Sequence, residues 1–438
     1  MSVVTPIERI AAAQAGFAPA GGPAWARRRG RALDVLTARG LPDRRDENWK
    51  YLDHARIAEH AFELAPRAPV DAAALESRIL AIPGALRVVL ADGRFQPALS
   101  AAALPPGLEV IDLGALIERE PEAALALLRT PGDDADDRYA LLAEAQAAGG
   151  VVLRVAAECD LAAPVHVVHV ATAAMPAVHQ ARMVIQAGSR SRFTIVEQFV
   201  ALGEAASLGN LAAEVEIGEK AELTHLRLHQ HSAAAAQVET FVVRQSAGSR
   251  YSQHLLALGG RLLRSNLRLV LEGRNAECRL DGLFLADGDR QVDLLTHVTH
   301  HGAATLTAQD YRGIATGRGR GALNGRITVL PTARGANASQ SSRNLLLTPL
   351  AEINARPQLE ILVDDVQCRH GATIGTLDDA QLFYLVSRGL DPDAARALLT
   401  FAFCQDLVGR LPLTAVRAAA QSLVAAALPQ NELIQVTG

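Results

Sequence analysis

A thiol and an imidazole stand two residues apart late in the chain, at Cys368 and His370. Between Gln358 and His370 apolar and polar residues roughly alternate. Leu359, Ile361 and Val363 share one parity, and Glu360, Asp364, Cys368 and His370 share the other. An extended strand sends side chains two apart to the same side, so Cys368 and His370 can address one object. A soft thiolate beside an imidazole suits zinc or an iron–sulfur species. Four ligands are usual, so the remaining donors must come from elsewhere, another chain included.

The other candidates are weaker. His297, His300 and His301 form a second knot of nitrogen donors, with His297 and His301 on one face of a strand and His300 on the other. No HExxH and no paired cysteines accompany them, so hydrogen bonding to neighbouring strands is the simpler reading and a zinc-dependent enzyme the alternative. His225, His229 and His231 read the same way. The glycine-rich GRGRGALNG at 317–325 lacks the GK[ST] of a phosphate loop and runs into a strand pattern, so it reads as tight turns. With no Walker A string, the chain is not expected to hydrolyse ATP itself. Trp49 reads as a core anchor and Cys278 as core. Cys404 falls on a helix and Cys159 in a turn.

These residues need a scaffold. Residues 1–148 read as a mostly helical domain. Alanine-rich helical patterns cover 6–20 and 25–38, the second stopped by Gly40-Leu41-Pro42. A short strand at 86–90 leads into an Asp92-Gly93 turn, helical patterns follow at 113–120 and 122–128, and residues 132–137 form an acidic loop. From 149 to 372 short β-type runs follow one another. Gly188, Gly218, Gly248, Gly273 and Gly302 each open a similar phrase, about 25–30 residues apart. That period is short for propeller blades, which need about 40 residues, and it suits a β-solenoid; a two-sheet sandwich is the other arrangement. Residues 373–438 return to helices. Thr376 with Asp379 resembles a capping box, Gly389 a stop, and Asp391-Pro392 a second start, with a last helix at 414–428. An open solenoid leaves unpaired strand edges at its ends, and the strand carrying Leu359, Ile361 and Val363 falls where the solenoid should end. It could therefore pair with another chain by strand addition.

The wording of this region also resembles a known family. NLLL, AE, RPQLEI and DDVQCRHGATIG, followed by LDDAQLFYLVSRG, are similar to the SufB/SufD family of iron–sulfur cluster assembly scaffolds. HVTHHGAATLTAQDYRGIATGRGRGALNGRITV at 297–329 and LPDRRDENWKYLD at 41–53 agree, and the Cys-x-His-Gly-Ala-Thr string favours the SufD branch. The resemblance implies a right-handed parallel β-helix between helical ends, and a non-catalytic scaffold subunit. It implies that Cys368 and His370 sit at an interface with SufB, where a nascent cluster forms. No stable cofactor is then expected in the isolated chain; separately, the exposed edge would let the isolated chain pair with a second copy as a homodimer. It further implies a SufC-type ATPase docked on residues 377–407, with Tyr384, Arg388, Arg396 and Phe401 as contacts.

Bulk properties narrow the classes. The 438 residues carry a net charge of −4 and are 49% hydrophobic, so nothing advertises nucleic acid or an anionic membrane surface as a partner. The sequence MSVVTPIERI lacks the basic stretch and apolar core of a secretion signal, and the four cysteines lie far apart. Together these point to a reducing cytoplasm. A secreted polysaccharide-cleaving β-helix enzyme would need an export signal and clustered carboxylates, and neither is visible.

Overall fold

A computed structural model describes residues 21–58, 64–65, 68–132, 135–146, 149–172, 175–428 and 431–433. The helix expected at 6–20 lies outside the described residues. Strand outweighs helix, 42% against 25%, and the core is a β-solenoid of about seven turns.

The amino-terminal part holds α1 (Gly22–Arg39), α2 (His54–Ala58), α3 (Ala72–Glu76), β1 (Leu86–Ala91), β2 (Arg94–Phe95), β3 (Leu108–Asp112), α4 (Leu113–Arg119), α5 (Pro121–Leu127) and α6 (Arg138–Gln146). The solenoid continues with β4 (Gly150–Val155), β5 (Val165–Ala171), β6 (Ala177–Ala187), β7 (Arg192–Ala201), β8 (Ser207–Ile217), β9 (Glu222–His229), β10 (Ala236–Gln245) and β11 (Arg250–Ala257). It goes on through β12 (Leu262–Leu271), β13 (Glu277–Ala286), β14 (Gln291–His300), β15 (Leu306–Ala315), β16 (Arg320–Val329), β17 (Ala336–Leu346), β18 (Glu352–Ile361) and β19 (Val366–Gly375). Helices α7 (Asp379–Ser387), α8 (Pro392–Val408) and α9 (Thr414–Ala427) follow.

From β5 onward odd strands stack in one sheet and even strands in the other, each parallel to the strand of the same sheet one turn away. One interior column runs Glu197, Arg227, Leu255, Gly282, Tyr311, Ser342 and Ala372, so a turn takes 27 to 31 residues. The alternation of side chains fills the space between the sheets with one continuous apolar cluster from Val88 to Ile353. The outward faces are covered by helices. Trp49, Leu36 and Tyr139 pack over Val178, Leu208, Val238 and Leu262 of the even sheet. Leu407, Val408, Val416 and Val424 of α8 and α9 pack over Leu226, Leu256, Leu283 and Ile314 of the odd sheet.

One corner explains the repeated phrase in the sequence. Glu158, Arg190, Lys220, Gly248, Asn275, Ala304 and Gly335 all have φ between 54° and 72°. The backbone N–H of each donates to a carbonyl one turn on, as Arg190 does to Glu219 and Asn275 to Ala303. The recurring glycines do not share one role there. Gly188 and Gly273 lie two residues ahead of the left-handed position, where an added Cβ would meet backbone of the previous turn at 2.3 and 2.0 Å. Gly248 is itself the left-handed residue.

The two ends of the solenoid differ. At the first end β2 pairs antiparallel with β1, and β3 antiparallel with β4, so the parallel stack is closed by short reversed strands. At the last end, among the described residues, β18 pairs only with β16 and β19 only with β17. Expectation and structure differ in two places here. The stretch 358–370 is not one strand: β18 stops at Ile361, and residues 362–365 turn the chain into the opposite sheet, fixed by Gly335 N–H donating to the Asp365 carbonyl. Helix α7 is capped by Asp378, whose carboxylate accepts from Ala380 and Gln381, and not by a Thr376–Asp379 box. Asp391 does cap α8, with Pro392 at its first position, and Gly389 follows the end of α7 at φ 96°.

Candidate functional site

The last turn of the solenoid is where the chemistry-bearing residues meet the unpaired edges. Cys368 is in register with Ala338 and His370 with Gln340. Ala338 belongs to the interior cluster and Gln340 is buried, so both Cys368 and His370 face the interior of the solenoid at its open end. Their Cα atoms are separated by two strand rises, about 6.6 Å. The same geometry corrects the two-face reading of this stretch. Leu359 is in register with the buried Ile327 and Ile361 with the buried Val329, so they too face inward, and Val363 packs on the same interior cluster. Turning the chain at 362–365 reverses the parity relation between the two strands.

The open end is apolar around this pair. Ile361, Leu362, Ile374 and, in the preceding loop, Leu350 are exposed large hydrophobic residues. Cys368 is half-buried against the interior apolar cluster, and that burial raises its thiol pKa above the ordinary value, opposed only by a hydrogen bond with the Ala338 backbone. A neutral thiol therefore predominates near pH 7, and binding a soft metal must displace its proton. The thiol and imidazole fit the donor chemistry of a cluster cargo, but supply only two ligands. Among the described residues no group of three His, Cys, Asp or Glu side chains is placed to hold one metal ion.

The 297–301 histidines are dispersed. His300 points inward, fully buried, with its ring nitrogens 2.8 Å from Thr305 Oγ1 and 3.0 Å from Thr307 Oγ1. His297 faces outward, 3.2 Å from Thr328 Oγ1 on the next turn, and His301 lies past the strand end in an exposed position. His225 is 3.0 Å from Glu197 inside the solenoid. Cys278 and Cys404 are buried, each with its thiol pKa raised by burial, and Cys159 is half-exposed beside Pro106.

Sequence reasoning missed a buried charge cluster in the first half of the solenoid. Arg227 donates to Glu197 at 3.0 Å and to Glu239 at 2.5 Å, with its guanidinium 3.8 Å from the centre of the Phe241 ring. Burial would raise the Glu197 carboxyl, but Arg227 and hydrogen bonds from His169 and His225 pull it well below the usual range. Burial wins at Glu239, which is raised. The only sequence signal was polar residues at interior parity in otherwise apolar strands.

The carboxyl-terminal helices divide into packed and free faces. α7 has no buried residue, and Phe383 is 75% and Tyr384 56% exposed, with Arg388 5.2 Å from the Tyr384 ring centre. Arg396 is exposed on α8, whereas Phe401 is half-buried against the apolar layer over the odd sheet. Phe383 and Leu398, both exposed, were not singled out from the sequence.

Comparison with known proteins decides the family. Residues 169–403 match the SufBD core domain of SUF-system FeS cluster assembly. The chain belongs to the SufBD family. It is 29% identical over 388 residues to the iron–sulfur cluster assembly protein SufD of Escherichia coli, covering 86% of this chain and 87% of that one. It is 28% identical over 400 residues to an iron–sulfur cluster assembly SufBD family protein of Synechocystis, covering 88% and 87%. Against SufD of Bacillus subtilis identity is 27% over 276 residues, 61% and 62% of the two chains. The protein is thus of SufD type and has a role in iron–sulfur cluster assembly. Among the described residues no helix is long and apolar enough to cross a membrane.

Proposed function

We propose that this chain is a non-catalytic scaffold subunit that pairs with a SufB-like chain through its last turn and supplies half of a nascent-cluster site. The observation that carries the reading is the open end: two strand edges without partners among the described residues, rimmed by Ile361, Leu362 and Ile374, holding Cys368 and His370 at the mouth of the interior. Strand addition to β18 and β19 would satisfy the edge backbone and cover the apolar rim. Cys368 and His370 would then face the partner's last turn, where further donors complete the ligand set of the cluster cargo. A site shared between two chains releases its cargo when they move apart. Leu359, Ile361 and Val363 would be buried under the partner strand. Helices α7 and α8 would dock a SufC-type ATPase, with Tyr384, Arg388 and Arg396 on the free face and Phe401 supporting it from below. The setting is the cytoplasm.

Two measurements test this. Native mass of the particle formed on co-expression with SufB- and SufC-like proteins of the same source should give one copy of this chain, one SufB and two SufC. Cys368→Ala and His370→Ala should leave that particle intact and abolish cluster formation on it. Full cluster yield in both variants would remove the site, and failure to associate would remove the scaffold reading.

A further inference from the structure

Beside the open end, the outward face of the odd sheet carries a second polar site. A groove of about 610 Å³ lies between that face and the end of α8, lined by Arg279, Asp281, Asp310, Arg343, Arg369 and Arg410 and bordered by His370. Asp406 and Arg312 adjoin it. Its three carboxylates are each already shared. Asp281 lies 2.8 Å from Arg279 and 3.5 Å from Arg410. Asp310 lies 3.0 Å from Arg343 and 2.9 Å from Arg410. Asp406 pairs with Arg312 and lies 2.9 Å from Arg410 and 3.8 Å from Arg343.

Five guanidinium groups therefore face three carboxylates, an excess of two positive charges. The Arg369 guanidinium, on the last strand, has no ion pair or hydrogen bond among the described residues. His254, 3.5 Å from Asp281, has its pKa lowered by burial, so it adds no further positive charge near pH 7. Each guanidinium offers a planar fork of donors, and the shared aspartates hold four of the forks, those of Arg279, Arg312, Arg343 and Arg410, in place before anything binds. The volume is that of a small-molecule pocket.

We propose that this groove binds a small polyanion whose carboxylate or phosphate oxygens take up the unmet donors. Arg279, Arg343, Asp281 and Asp310 lie on β13, β15 and β17, behind the edge, so a strand added to β19 lengthens the groove without filling it. The proposal goes beyond the cluster site and does not depend on it.

Calorimetric titration of the full chain with pyrophosphate and, separately, with citrate at constant ionic strength separates the two sources. Saturable one-to-one binding of either is expected, weakened at least tenfold in Arg343→Gln and in Arg369→Gln and unchanged in Arg190→Gln, whose side chain lies at a distant corner. Pyrophosphate alone points to a phosphate compound, citrate alone to a polycarboxylate, and both to the shared chemistry. Arg369→Gln breaks no contact, so it decides the matter if Arg343→Gln fails to fold. Absence of saturable binding, or undiminished binding in Arg369→Gln, overturns the proposal. No cluster is formed in this experiment, so its failure and that of the scaffold reading are distinct.

Discussion

Replacing Arg227 by methionine removes the cation at the centre of the buried charge cluster while keeping the volume apolar. Arg227, Glu197 and Glu239 are all fully buried. At 3.0 Å and an effective dielectric constant of about 20, a single pair is worth on the order of 5 kcal/mol before desolvation. Desolvation of the three charges cancels much of that in the native protein. Removing one partner does not recover it, because two carboxylates stay behind without a cation, and such losses run at about 3–5 kcal/mol. That is a large part of the total of about 5–15 kcal/mol holding a domain folded. The Arg227→Met midpoint in urea, followed by far-ultraviolet circular dichroism at pH 7.5, should fall accordingly.

The pH dependence gives the mechanism a sign. In the native protein Glu197 is depressed. Its contribution is present above the unfolded carboxyl value of about 4.3 and is lost as pH falls through the folded value. Without Arg227 both carboxyls are raised by burial. A raised carboxyl costs nothing below the unfolded value, and its cost grows as pH climbs toward the folded one. The deficit of Arg227→Met should therefore narrow from pH 8 to pH 5, and adding Glu197→Gln and Glu239→Gln should shrink it at every pH. A loss below about 1 kcal/mol, or a deficit wider at pH 5 than at pH 8, would refute the argument that the network is a coupled ion cluster.

Three further outcomes follow from the open end and its neighbours. Ile361→Glu with Ile374→Glu should weaken association through the last turn, with itself or with a SufB-like chain, by at least tenfold in sedimentation while leaving the circular dichroism spectrum unchanged. The raised Cys368 thiol should react with iodoacetamide more slowly than a free cysteine peptide at pH 7.5, and its rate, read by peptide mass mapping, should still be rising at pH 9.5. Asp378→Ala should cost α7 about 1 kcal/mol, visible as faster hydrogen exchange at Ala380 and Gln381 with the solenoid amides unchanged.

The solenoid was legible because its signals are local and repeated. Alternating strands mark the walls, and a left-handed corner returns every 27 to 32 residues as phrases such as GSR, GEK and GRN. Helix starts with a short-range cap, such as Asp391-Pro392, were legible for the same reason. The placement of Cys368 and His370 side by side was legible, since the two share parity within one strand. Their relation to Leu359 and Ile361 was not, because parity is lost across a turn whose length alternation cannot fix. The Arg227 cluster was hidden because its members lie on three strands, from Glu197 to Glu239, and meet only once the turns are stacked. Phe401, named only through the family resemblance as an ATPase contact, is half-buried against the apolar layer over the odd sheet, a packing that the resemblance could not show.

The asymmetry of the two ends is the strongest structural argument for a partner. An uncovered edge invites aggregation, and natural sheets blunt it with short, reversed or charged strands. This chain does so at its first end, where the two-residue β2 and the antiparallel β3 finish the stack. At the other end it extends β18 and β19 to ten residues each, with their outer edges unpaired among the described residues and Ile361 and Ile374 in the open. Helices α8 and α9 cover the outward face of the odd sheet behind that edge, so the fold has helices available and does not use them as a lid. The proposed second chain would close an end so exposed in a fold that otherwise closes itself, and Cys368 and His370 would stand where the two meet.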